Sequence, residues 1–64
     1  DQKKALYWYQ KSSENGLALA QLRLGCMYIA GEGCEKDKLK GVTWISKSAQ
    51  QGLESAVFEL KKYH

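Results

Sequence analysis

Small and apolar residues recur along the chain at helical spacing. Ala5, Trp8, Tyr9 and Ser12 follow i, i+3, i+4, i+7, and Gly41, Trp44, Ile45 and Ser48 repeat the same steps further on, the pattern of a helix with one face turned inward. Leu6 and Ser13, like Val42 and Ala49, widen the two stripes, which predicts that these helices are covered on two sides. Between them Ala20, Leu24 and Tyr28 recur at every fourth position, with Leu22 and Met27 alongside. That pattern predicts a middle helix with a buried face of its own, from Leu17 or just after it to Ala30.

Glycines and one aspartate punctuate these patterns. Gly16 and Gly52 stand where the two outer stripes end, the place of a residue that closes a helix in the left-handed conformation. Only a short turn separates each from the next pattern, so a tight antiparallel hairpin is expected. The stretch Gly31-Glu32-Gly33-Cys34-Glu35-Lys36 breaks the periodicity and reads as a longer loop. It leads to Asp37, whose carboxylate is suited to accept from unpaired N–H groups in the next first turn and to complement the helix dipole. The loop glycines do not read as a phosphate cradle, because no strand precedes them and no Gly-Lys-Ser/Thr follows. Gly25 interrupts the middle helix at a cost of about 1 kcal/mol against alanine, which predicts a close approach by a neighbouring helix.

The outer stripes are copies of each other. Laying residues 1–28 over 37–64, a period of 36, superposes nine identities: Asp1/Asp37, Lys4/Lys40, Trp8/Trp44, Lys11/Lys47, Ser12/Ser48, Gly16/Gly52, Leu17/Leu53, Ala20/Ala56 and Leu24/Leu60. A unit of this length is one helical hairpin that cannot bury its apolar face alone and stacks on its neighbours. Trp8 and Trp44 recur at the period and lie on the apolar stripes, so both are expected to fill the core rather than to stack on a base or a sugar.

The run Ala18-Leu-Ala20-Gln21-Leu-Arg-Leu24-Gly25-Cys-Met-Tyr28-Ile-Ala-Gly31-Glu-Gly33, followed by Asp37, Lys40, Trp44, Lys47, Ala49 and Gly52, resembles a Sel1-like repeat. The resemblance covers essentially the entire chain. It implies an all-α fold, a fragment of a right-handed, tetratricopeptide-like α/α solenoid of antiparallel helix pairs. Residues 1–16 then correspond to the second helix of an incomplete repeat, 17–52 to a complete repeat and 53–64 to the first helix of a following one. Proteins of this family are generally non-catalytic adaptors that assemble other proteins, so a protein or peptide ligand is the implied partner, together with flanking repeats of the same chain.

Four positions depart from the family pattern. Gly41 replaces the usual alanine, which is expected to loosen the start of its helix. Cys34 takes a place where valine is common, as a small buried residue does. Lys61 stands where the pattern has Gly25, and His64 aligns with Tyr28, so the last helix is expected to be atypical. The cysteine-rich subclass with disulfides between paired helices is not supported, since Cys26 falls at a variable helix position and Cys34 in the loop.

Composition narrows the function. Ten basic and seven acidic residues are interleaved from end to end and give a net charge of +3, a balance that names no polyanionic partner. The longest apolar runs, Ala5 to Tyr9 and Cys26 to Ala30, fall far short of the ~18 residues of a membrane span. Two cysteines and one histidine are too few for a zinc site, and neither a metal nor any other cofactor is implied. A Cys26–His64 pair is the sole candidate for nucleophilic chemistry, and it lacks a third member and an oxyanion site. No methionine stands first and Asp1 begins inside what reads as a helix, so the natural protein is expected to extend beyond both ends.

With Ala20, Leu24 and Tyr28 buried, the remaining positions Leu19, Arg23, Cys26 and Ala30 fall four, three and four apart on one exposed stripe. In the next copy that stripe is Ser55, Glu59 and Lys62. In related solenoids the corresponding helices line the concave surface, and these seven residues are the candidate partner-binding set. A helical repeat that reads single-stranded nucleic acid is the alternative, and it calls for a concentrated positive stripe.

Overall fold

The computed structural model describes residues 1–63; His64, and with it the Cys26–His64 pair, lies outside the described residues. The described chain is four α-helices and no strand: α1 (Gln2–Glu14), α2 (Ala18–Ala30), α3 (Lys38–Gln50) and α4 (Glu54–Lys61). Their ends follow from local chemistry. Asp1 and Asp37 cap α1 and α3, the carboxylates accepting from the N–H groups of Lys3 at 2.9 Å and Lys40 at 3.0 Å. At the end of α1, Gly16 takes φ +87°. There its N–H donates to the Ser13 carbonyl while the N–H of Leu17 donates to that of Ser12, which closes the helix and satisfies carbonyls that have no partner within it. Gly52 follows α3 at φ +90°, its N–H donating to the Ala49 carbonyl oxygen at 2.9 Å.

The helices pack in a zigzag. α2 lies most extensively against α3, and α1 rests on α2, α3 on α4, with only a marginal contact between α2 and α4. The middle helix buries the expected face, Ala20, Leu24 and Tyr28 with Leu22 and Met27. Leu24 and Ile45 are fully enclosed, and burial of such a side chain stabilises the fold by about 1.5–3 kcal/mol. Leu22, Ile45 and Ala56 form the centre of one cluster that joins α2, α3 and α4, with Ile29, Leu53 and Leu60 packed around it.

Polar bonds fix the register of these contacts. Ser48 Oγ donates to the Ala18 carbonyl oxygen at 2.6 Å, tying α3 to the first turn of α2. Gln21, buried, donates to the Ser13 carbonyl oxygen of α1 at 3.2 Å and accepts from Gln51 Nε2 at 2.9 Å. One side chain of α2 thus joins α1 to the residue that caps the end of α3, and its burial is compatible with a polar group because both ends of the amide are bonded.

Two expectations need correction. Trp8 is not in the core: it is 67% exposed, with Tyr7 edge-on against it at 5.5 Å. Its period-mate Trp44 is half-buried, with Lys47 Nζ 4.6 Å from the ring centroid. The difference lies in the neighbours, since α3 is flanked by α2 and α4 whereas α1 touches only α2 among the described helices. Gly41, expected to loosen its helix, is instead buried at the α2–α3 crossing opposite Gly25, where the absence of a side chain lets the two backbones meet.

Candidate functional site

A groove of about 770 Å³ opens between α2 and α4. Helical periodicity builds both walls. Leu19, Leu22, Arg23 and Cys26 supply the α2 side, and Glu54, Ser55, Val57, Phe58, Glu59 and Lys61 supply the α4 side. Five of the seven residues of the sequence-derived stripe meet here: Leu19, Arg23, Cys26, Ser55 and Glu59. The other two are not among its lining residues. Ala30 is exposed at the far end of α2, and Lys62 lies beside the groove with its Nζ 3.0 Å from Glu59 Oε1 and 5.5 Å from the Phe58 ring centroid.

The groove combines open apolar surface with charge of both signs. Leu19 is 59% exposed on one wall and Phe58 65% on the other, side chains of the kind that anchor protein interfaces when a partner covers them. Arg23 and Lys61 are balanced by Glu54 and Glu59 within the same lining, so the groove does not present the positive stripe that a phosphate backbone requires. Periodicity alone missed Val57, Phe58, Glu54 and Lys61. The signal was present in the repeat: they stand one period after Gln21, Leu22, Ala18 and Gly25, the α2 face that packs on α3.

The protonation of the groove follows from the same geometry. Partial burial pushes the Cys26 thiol above its ordinary value, and the carboxylate of Glu59 adds to the rise. Cys26 is therefore held as the thiol at neutral pH, the unreactive form. The Lys62 ammonium is held above the usual lysine value by its hydrogen bond to Glu59. Cys34 sits half-buried in the loop, its Sγ 3.8 Å from the Met27 carbonyl oxygen. Among the described residues no three His, Cys, Asp or Glu side chains gather as a metal site would need, and no described helix is long and apolar enough to cross a membrane.

Stacked helical hairpins at a fixed period, with an open groove along one face, define an all-α helical-repeat module. The family model for the Sel1 repeat matches residues 1–17 and 18–53. A chain of Acanthamoeba polyphaga mimivirus described as a Sel1-like repeat-containing protein is 35% identical over 51 residues, covering 80% of this chain and 10% of its own length. The crystal structure of a Sel1 repeat protein from Oxalobacter formigenes superposes with a TM-score of 0.87 at 36% identity, over 91% of this chain and 24% of that one. The chain belongs to the Sel1 repeat family. Members of this family are generally protein–protein interaction modules and non-catalytic scaffolds. The chain spans about a tenth of the curated relative and about a quarter of the solved one.

Proposed function

We propose that this segment is a non-catalytic adaptor surface that holds a protein or peptide ligand on the concave face of its first-type helices, α2 and α4. The contact set is Leu19, Arg23, Cys26 and Ala30 on α2 with Ser55, Glu59 and Lys62 on α4. Residues 1–16 act as the second helix of one repeat, 17–52 as a complete repeat and 53–64 as the first helix of the next. The observation that carries this reading is the pairing of Leu19 and Phe58, both mostly exposed, on facing walls of one groove rimmed by Arg23 and Glu59. Apolar anchors within a mixed polar rim are the usual anatomy of a protein interface.

The test is capture of partners from a lysate of the source cells, comparing the parent with a variant carrying Leu19→Asp, Arg23→Glu and Glu59→Lys. Equal helicity by circular dichroism is established first. Loss of a specifically retained protein in the variant supports the groove assignment. Retention of the same proteins by both places binding on another face and overturns it.

A further inference from the structure

We propose that Asn15 is a site of spontaneous covalent modification, its side-chain amide being lost to attack by the Gly16 backbone nitrogen, so that the α1–α2 turn passes into aspartate and isoaspartate forms. Asn15 ends α1 at φ −84° and ψ 4° and is exposed. Gly16 follows at φ +87°, and a Cβ built there would meet nothing within 4 Å. The turn therefore sets an asparagine before a nitrogen that no side chain shields. Its exposure is a property of the turn itself. One period later Gln51 and Gly52 are exposed as well, although their helix α3 is flanked by both α2 and α4.

The chemistry needs only water. The Gly16 nitrogen gives its proton to solvent base and attacks Asn15 Cγ; the new N–Cγ bond closes a five-membered succinimide, and the Cγ–Nδ2 bond breaks to release ammonia. Water then opens the ring. Cleavage of the N–Cγ bond restores the original backbone with aspartate, whereas cleavage between the nitrogen and the α-carbonyl routes the backbone through the side chain as isoaspartate. Before the attack the Gly16 N–H must leave the Ser13 carbonyl oxygen, 3.0 Å away. That bond sits at an exposed helix end, where local opening costs least.

The second copy of the turn is an internal control. Gly52 stands at φ +90° with the same open space around it, but Gln51 is one methylene longer, so ring closure freezes an additional rotatable bond and is slower. Its amide is also held, Nε2 donating to Gln21 Oε1 at 2.9 Å. At Asn15 either product sets a carboxylate at the C-terminal end of α1, where the helix dipole disfavours negative charge. Isoaspartate further lengthens the backbone inside the turn closed by the Gly16–Ser13 and Leu17–Ser12 bonds, so both cannot be kept. The joint that Gln21 fixes through the Ser13 carbonyl is thereby loosened.

The test is incubation of the folded full chain at physiological temperature and mildly alkaline pH, then tryptic digestion and mass spectrometry against a sample digested without incubation. Cleavage after Lys11, Arg23, Lys47 and Lys61 puts Asn15 and Gln51 on separate peptides, 12–23 and 48–61. Peptide 12–23 gains the mass of amide-to-acid conversion and splits into aspartate and isoaspartate forms, faster as pH rises because the attacking nitrogen must lose its proton. Peptide 48–61 stays unchanged over the same period. Asn15→Gln, which copies the Gln51 turn, stops the conversion, and the aged parent melts below Asn15→Gln aged beside it. Conversion in the urea-unfolded chain alone, equal conversion of the two peptides, or modification of 12–23 that persists in Asn15→Gln each overturns the proposal. Equal melting of the two aged chains overturns the effect on the joint.

Discussion

Gly25 and Gly41 face each other so closely across α2 and α3 that a Cβ on Gly25 would lie 2.6 Å from the Gly41 carbonyl oxygen, and one on Gly41 2.5 Å from that of Gly25. These are backbone atoms, so an added methyl group is accommodated only if the two helices separate. Gly25→Ala is expected to destabilise by about 1–3 kcal/mol from overpacking, less the ~1 kcal/mol that alanine gains in helix propensity. Denaturant unfolding followed by circular dichroism measures the balance. A variant more stable than the parent shows that the crossing is looser than the geometry described.

The two tryptophans separate by their surroundings. Trp8 is mostly exposed and Trp44 half-buried under Lys47. Trp44→Ala is expected to cost about 2 kcal/mol, below the 3–5 typical of a fully buried ring, whereas Trp8→Ala costs roughly 0.5 kcal/mol or less. Acrylamide quenching gives an independent reading on this segment. The Trp44→Phe variant, reporting Trp8 alone, quenches more steeply than the Trp8→Phe variant, and the reverse order overturns the assignment.

Why Trp8 was misplaced shows what a sequence pattern encodes. Periodicity identifies which residues share a helix face, and it located the caps at Asp37 and Gly52, the span of α2 and the buried set Ala20, Leu24 and Tyr28. It does not tell whether another helix lies on that face. Gln21 was equally opaque, because its burial depends on Ser13 and on Gln51 across a hairpin, and a glutamine with partners reads in sequence like one in water. The α2 half of the groove was legible from spacing. Ser55 and Glu59 of the α4 wall were legible from the same spacing, whereas Val57 and Phe58 were not, since they occupy positions that are covered one period earlier.

Ser13 is buried with its Oγ lacking a protein partner. Its period-mate is Ala49, which packs against the core cluster without a hydroxyl to satisfy. A buried polar group without a hydrogen bond opposes folding, so Ser13→Ala is expected to raise stability by about 0.5–1 kcal/mol. Thermal denaturation of the variant beside the parent decides it. A lower midpoint means that the hydroxyl is bonded and that replacing it removes a useful contact.

The pH response of Cys26 carries a sign fixed by its surroundings. Burial, and then Glu59, raise the thiol pKa in the folded chain, so the folded state holds this proton more tightly than the unfolded one. The resulting stabilisation is fully present below the unfolded thiol pKa and is lost as pH rises through the folded value. Alkylation of Cys26, followed by mass spectrometry of the modified peptide, should therefore reach half its maximal rate at a higher pH than for an unfolded cysteine peptide. Glu59→Gln removes a neighbouring negative charge and moves that midpoint down, although not to the free value, because burial is the larger cause. An unchanged midpoint in Glu59→Gln means that the carboxylate does not act on the thiol, and with it falls the placement of these two side chains in one groove.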